Sequence, residues 1–200
     1  KIYILCYLPR GFFMKKNIQL ITTFILSATL FFTSLAIANT KINSSEVLKI
    51  GKEIPNAQLN RFAQSNIKID DLKGKIKIIS VVPQLNTPVC DKQTHQFSET
   101  NGGLDKDIDI ITISTNTAQG QKSFAEKANI SNLIFLSDSP EFNFGKSTGL
   151  LIEGMNMLRR TVLVLDEKNI IRYVDFVPRG GLPNIKGALN AAKEVLLGNS

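Results

Sequence analysis

Ser80-Val81-Val82-Pro83-Gln84-Leu85-Asn86-Thr87-Pro88-Val89-Cys90-Asp91-Lys92-Gln93-Thr94 closes an apolar, β-branched run that starts at Ile76, passes through a loop holding Thr87 and Pro88, and opens a polar, amphipathic segment at Cys90. That order is strand, loop, helix. A cysteine in a first helical turn meets unpaired backbone N–H groups and the positive end of the helix dipole, and both favour thiolate over thiol. Pro88 suits such a turn, where its missing N–H costs nothing, while Pro83 ends the strand and stiffens the loop. Cys90 is therefore a candidate nucleophile.

Working outward, Val89, Thr94, Phe97 and Leu104 form the apolar or small side of the helix after Cys90, leaving Asp91, Lys92, His95 and Glu99 for solvent. Upstream, Gly51 to Asp71 reads as loops with one short strand, and Asp71 to Lys75 as a turn into the Ile76 to Val82 strand. Downstream, Asp107 to Ser114 is a β-branched run suited to a strand covered on both faces. Thr117 to Ala128 reads as a helix, Leu133 to Leu136 as a buried strand, and Pro140 to Thr148 as a short helix or irregular turn. Thr161 to Leu165 and Ile170 to Val177 flank Asp166-Glu167-Lys168-Asn169, a hairpin signature. Leu182 to Leu197 is a closing helix with Ile185, Leu189, Ala192 and Leu196 on one face and Gly198 as its stop. Strands alternating with helices before a hairpin suit an α/β domain: a central mixed β-sheet flanked by helices on both faces.

The charge balance divides the chain. Of its 24 basic and 17 acidic residues, four basic and no acidic ones lie in residues 1–38, so the formal charge of +7 falls to +3 beyond them. No Lys/Arg cluster with interleaved aromatics follows, which argues against a nucleic-acid partner. Residues 1–38 read as a leader: Lys15-Lys16 after Met14, an uncharged apolar stretch from Asn17 to Thr40, and Ala36-Ile37-Ala38 as a small-residue cleavage site. Met14 is read as the true start, residues 39–200 as the domain, and export, in a bacterium to the periplasm, as the destination. An uncleaved leader is long enough to tether the protein to a membrane instead. Asn39 to Glu46 is a polar, flexible lead-in. Cys6 would leave with the leader, which makes Cys90 the lone cysteine of the mature domain, without an internal disulfide. One Cys and one His are two ligands short of a structural zinc site, so no metal and no other cofactor is expected.

Pro83, Thr87 and Cys90 stand in the spacing of proline, three residues, threonine, two residues, cysteine. This spacing resembles the active-site loop of the peroxiredoxins. The wider string from Val81 to Phe97 resembles the thiol peroxidase (Tpx) branch of that family, and the similarity continues with gaps from about Gly51 to the C-terminus. The resemblance implies a thioredoxin-like fold, which the periodicity permits. It implies reduction of hydrogen peroxide and organic hydroperoxides through a sulfenic acid on Cys90, with Thr87 donating a hydrogen bond and Pro83 shielding the oxidised sulfur. It further implies an active-site arginine at Arg160, matched through the Arg-Thr-Val-Leu-Val-Leu-Asp string; Arg159 is adjacent, and consecutive strand residues point to opposite faces. A dimer would fit the family. Members of the branch usually carry a second cysteine in the helix matching Thr117 to Ala128, where this chain has Ala125. The expectation is thus a one-cysteine enzyme resolved by an external thiol or a thioredoxin-like reductant.

Other readings compete. A peroxiredoxin-like sensor or thiol-binding module would need no turnover. A hydrolase built on Cys90 and His95 is disfavoured, because five residues on a helix exceeds the i, i+4 neighbour and leaves His95 to solvent. Gly145-Lys146-Ser147-Thr148 resembles the end of a phosphate-binding loop, but the first glycine of that motif would fall at Pro140.

Overall fold

Strands rich in Ile, Val and Leu supply the centre of the sheet that the helices cover. The computed structural model describes residues 42–198; the leader, its cleavage site, Met14 and Cys6 lie outside the described residues. In chain order the strands are β1 (Gln58–Arg61), β2 (Gln64–Lys68), β3 (Lys77–Val81), β4 (Asp109–Ser114), β5 (Ile134–Ser137), β6 (Leu151–Ile152), β7 (Met157–Leu158), β8 (Thr161–Leu165) and β9 (Ile171–Phe176). The helices are α1 (Ser44–Val47), α2 (Pro88–Glu99), α3 (Ala118–Ala128), α4 (Asn143–Thr148) and α5 (Ile185–Leu196). Seven strands form one mixed sheet in the order β2-β1-β5-β4-β3-β8-β9, and β6 and β7 pair separately. β3, β4 and β5 run parallel, whereas β8 lies antiparallel to β3, with Val81 opposite Thr161.

Every residue of β3 and β8 is buried. Side chains alternate across a strand, so the two faces take alternate residues. Ile78, Val82, Ile110, Val162 and Val164 pack with Cys90 and Phe97 of α2, Phe124 and Ala128 of α3, and Ala188, Leu189 and Ala192 of α5. Ile79, Val81, Ile111, Ile113, Leu163 and Leu165 face the opposite core, closed by Phe144 of α4, Leu59 and Ile67 of the β1–β2 hairpin, and Leu48 after α1. Helices do cover both faces, though a hairpin shares the second.

Local chemistry sets the element ends. α3 starts where the Thr117 hydroxyl accepts from the Gly120 N–H, and it stops at Asn129 in the left-handed region. The β8–β9 hairpin turns on Asp166, whose carboxylate accepts from the N–H groups of Lys168 and Ile170, and on Asn169 at φ 65°. Gly145 permits close packing: a Cβ there would lie 2.5 Å from Leu158 Cδ2.

Four expectations are corrected. Gly51 to Asp71 holds two paired strands and a 3-10 turn (Ile69–Leu72) rather than one strand. Within the lead-in, Ser44–Val47 is one helical turn capped by the Asn43 side chain, which accepts from the Ser45 N–H. Leu104 lies in a separate 3-10 turn beyond α2. Leu196 is 41% exposed, and Ala188 takes its place in the buried face of α5.

Candidate active site

α2 begins as its sequence dictates. Thr87 is the extended N-cap and Pro88 the first helical residue. The first intrahelical bond runs from the Asp91 N–H to the Thr87 carbonyl at 2.9 Å, so the N–H groups of Val89 and Cys90 precede it and point out of the helix end. The loop ahead is pinned from the neighbouring β4–α3 connection. Asn116 Oδ1 accepts from the Leu85 N–H at 2.8 Å, and the Thr115 hydroxyl donates to the Pro83 carbonyl at 3.2 Å.

These constraints place the Cys90 side chain inside, 1% exposed, against the sheet. Arg160, the residue before β8, has the parity of Val162 and Val164 and enters the same side of the sheet. Its Nη2 donates to Cys90 Sγ at 3.2 Å. Its Nη1 donates to Gln93 Oε1, one turn after Cys90 on α2. Gln93 is wholly buried, and its Nε2 donates to the Ser80 hydroxyl at 2.7 Å. A guanidinium held from two sides thus lies against the sulfur, where it can stabilise negative charge on a thiolate or on an oxygen bonded to it.

Of the four residues singled out from the sequence, Cys90 and Arg160 meet directly. Pro83 is half-buried and lines a cavity together with Arg160. The Thr87 hydroxyl donates to the Gln84 carbonyl at 3.1 Å, and a hydroxyl has one proton to give. Arg159 does not share the contact with Cys90; its backbone N–H donates to the Leu150 carbonyl. His95 turns to Asp91, with Nδ1 3.1 Å from the Asp91 carbonyl oxygen and 3.5 Å from its carboxylate. Ala125 packs at the edge of the helix-covered core. In the Gly145 to Thr148 segment, the Phe144 and Gly145 N–H groups donate to the buried Asp138 carboxylate, each at 2.8 Å, leaving no free cradle for phosphate there. Sequence reasoning missed Gln93, Ser80, Thr115 and Asn116. Only a polar residue one turn after the cysteine could have hinted at Gln93.

The Redoxin profile matches residues 49–189. The chain belongs to the Redoxin family. This redoxin is 35% identical over 150 residues to a thiol peroxidase of Halalkalibacterium halodurans, covering 74% of this chain and 90% of that one. It is 36% identical over 147 residues to a thiol peroxidase of Streptococcus pneumoniae, covering 73% and 90%. A crystal structure of a peroxiredoxin-like protein from Aquifex aeolicus superposes with a TM-score of 0.65 at 28% identity, over 74% of this chain and 88% of that one. The redoxin thus has the thioredoxin-like fold, and Cys90 is the only cysteine among its described residues.

Proposed function

We propose that this redoxin is a thiol-dependent peroxidase that reduces hydrogen peroxide and organic hydroperoxides through Cys90. The observation that carries the reading is the hydrogen bond from Arg160 to Cys90 Sγ in the first turn of α2. The Cys90 thiolate attacks the terminal peroxide oxygen; the S–O bond forms as the O–O bond breaks. Sulfur is oxidised to a sulfenic acid, and the other oxygen leaves as hydroxide or alkoxide and takes up a proton. Arg160 offsets the charge that moves from sulfur to the leaving oxygen. Thr87, rotated from the Gln84 carbonyl toward the incoming peroxide, supplies a second donor. Pro83 limits water access to the sulfenic acid.

With Ala125 where the branch usually has its second cysteine, resolution falls to an external thiol. That thiol forms a mixed disulfide with Cys90 and releases water, and a second thiol then opens the disulfide. A small thiol or a thioredoxin-like protein can serve, and a homodimer suits the family. The leader pattern supports export, testable by sequencing the N-terminus of the secreted protein. For the activity, the test is peroxide consumption with excess dithiothreitol, alongside trapping of the Cys90 sulfenic acid with dimedone. Sustained turnover with a trapped adduct is expected. A trapped adduct without turnover would point to a redox sensor instead, and no adduct would refute both.

A further inference from the structure

The β6–β7 hairpin and the end of β9 wall a cavity of about 520 Å³ that Arg160 and Pro83 also line. It is thus walled by the same residue whose guanidinium touches Cys90 Sγ. Two properties set it apart from what hydrogen peroxide needs. One is its apolar lining, which includes Met155 and Phe176, 47% and 40% exposed, with Met157 and Val177. The other is charge. Arg159 and Arg179 line it and no Asp or Glu does, and no carboxylate of the described residues pairs with either guanidinium. Exposed apolar side chains beside unpaired positive charge suit a ligand with an apolar body and an anionic end. Arg160 reaches the sulfur, and its neighbour Arg159, of opposite parity, makes no contact with Sγ and is left to the cavity.

We propose that this cavity selects organic hydroperoxides that carry a carboxylate. Arg159 and Arg179 hold the carboxylate, Met155, Met157 and Phe176 cover the apolar body, and the hydroperoxide end lies at Arg160. The inference rests on the reading of Cys90 as a peroxide-reducing thiol. The chemistry is unchanged: the sulfur gains the terminal oxygen, the O–O bond breaks, and the substrate leaves as the corresponding hydroxy acid after taking up a proton.

The test compares 4-hydroperoxy-4-methylpentanoate with its methyl ester in single-turnover oxidation of the reduced protein. The carboxylate form should react about tenfold faster, the size of one charge-assisted hydrogen bond. In the variant carrying both Arg159→Gln and Arg179→Gln that ratio should fall to about one. Equal rates in the native protein, or a ratio untouched by the double substitution, overturn the inference while leaving the peroxidase reading intact. Because a carboxylated thiol has the same anionic end, mercaptoacetate and its methyl ester are compared in the reduction step. A preference confined to that step overturns the hydroperoxide assignment and gives the cavity to the reductant. Should the protein prove inert to every peroxide, calorimetric titration of Cys90→Ser with 4-hydroxy-4-methylpentanoate decides the pocket separately. Binding that the double substitution removes supports it, and no binding refutes it.

Discussion

Replacing Gln93 by Leu is the sharpest perturbation of the site, because it keeps both Cys90 and Arg160 and removes the side chain that holds the guanidinium beside the sulfur. Gln93 is wholly buried, accepts from Arg160 Nη1 and donates to the Ser80 hydroxyl. Leucine of similar volume leaves one guanidinium N–H and one hydroxyl without partners, and the freed arginine can swing off the sulfur. A hydrogen bond to a charged group contributes about 1.5–3 kcal/mol. Since Arg160 keeps its charge and returns to the sulfur for part of the time, the lower end applies, and Cys90 oxidation should slow by roughly tenfold. Stopped-flow oxidation by hydrogen peroxide without reductant measures this step. The decisive control is the same substitution in an Arg160→Ala background, where Gln93→Leu should change the rate by less than about twofold, since coupled residues are not additive. An equal slowing in both backgrounds would refute the role of Gln93 as a positioning residue for Arg160.

Other outcomes follow from the fold. Lys77 is wholly buried, its Nζ donating to Asn169 Oδ1 at 2.8 Å, and burial pulls its pKa down to about 8. A base with a folded pKa below its unfolded value of 10.5 destabilises the fold while protonated, so stability rises between about pH 8 and 10.5, by on the order of 2–3 kcal/mol. Denaturant unfolding at pH 7 and pH 10 should show this rise in the native protein and not in Lys77→Met. Asp138 behaves in the opposite sense: burial raises its pKa to about 6 in spite of the Gly145 and Phe144 N–H donors. Its contribution is fully present below about pH 3.8 and is lost as pH rises through 6, and Asp138→Asn should flatten that part of the stability profile. Gly145→Ala forces a Cβ to within 3.0 Å of Leu151 Cβ as well as onto Leu158, and urea unfolding should record a loss of about 1–3 kcal/mol.

How far the sequence could be read depended on what held each part. β3, β4 and β8 announce themselves because both faces are buried, so most of their residues are β-branched or aliphatic, whereas β9, half-buried at the sheet edge, is legible through the hairpin turn that precedes it. The β1–β2 hairpin does not: only Leu59 and Ile67 are buried in it, and Gln58, Gln64 and Ser65 are exposed and polar. β6 and β7, two residues each, are below any period that alternation can reveal. In the site, Cys90 is legible because strand end, proline and helix start are local. Arg160 is legible through resemblance and, after that, through strand parity. Gln93 is not, because Ser80 and Arg160, which make its burial tolerable, lie 13 and 67 residues away.

The most direct test of the peroxidase reading is rapid mixing of the reduced protein with one equivalent of hydrogen peroxide, without reductant, beside Cys90→Ser and Arg160→Ala. Fast consumption of one equivalent, absent in Cys90→Ser and at least tenfold slower in Arg160→Ala, is the predicted result. A native rate no greater than that of a free thiol, unaffected by Arg160→Ala, would contradict the account.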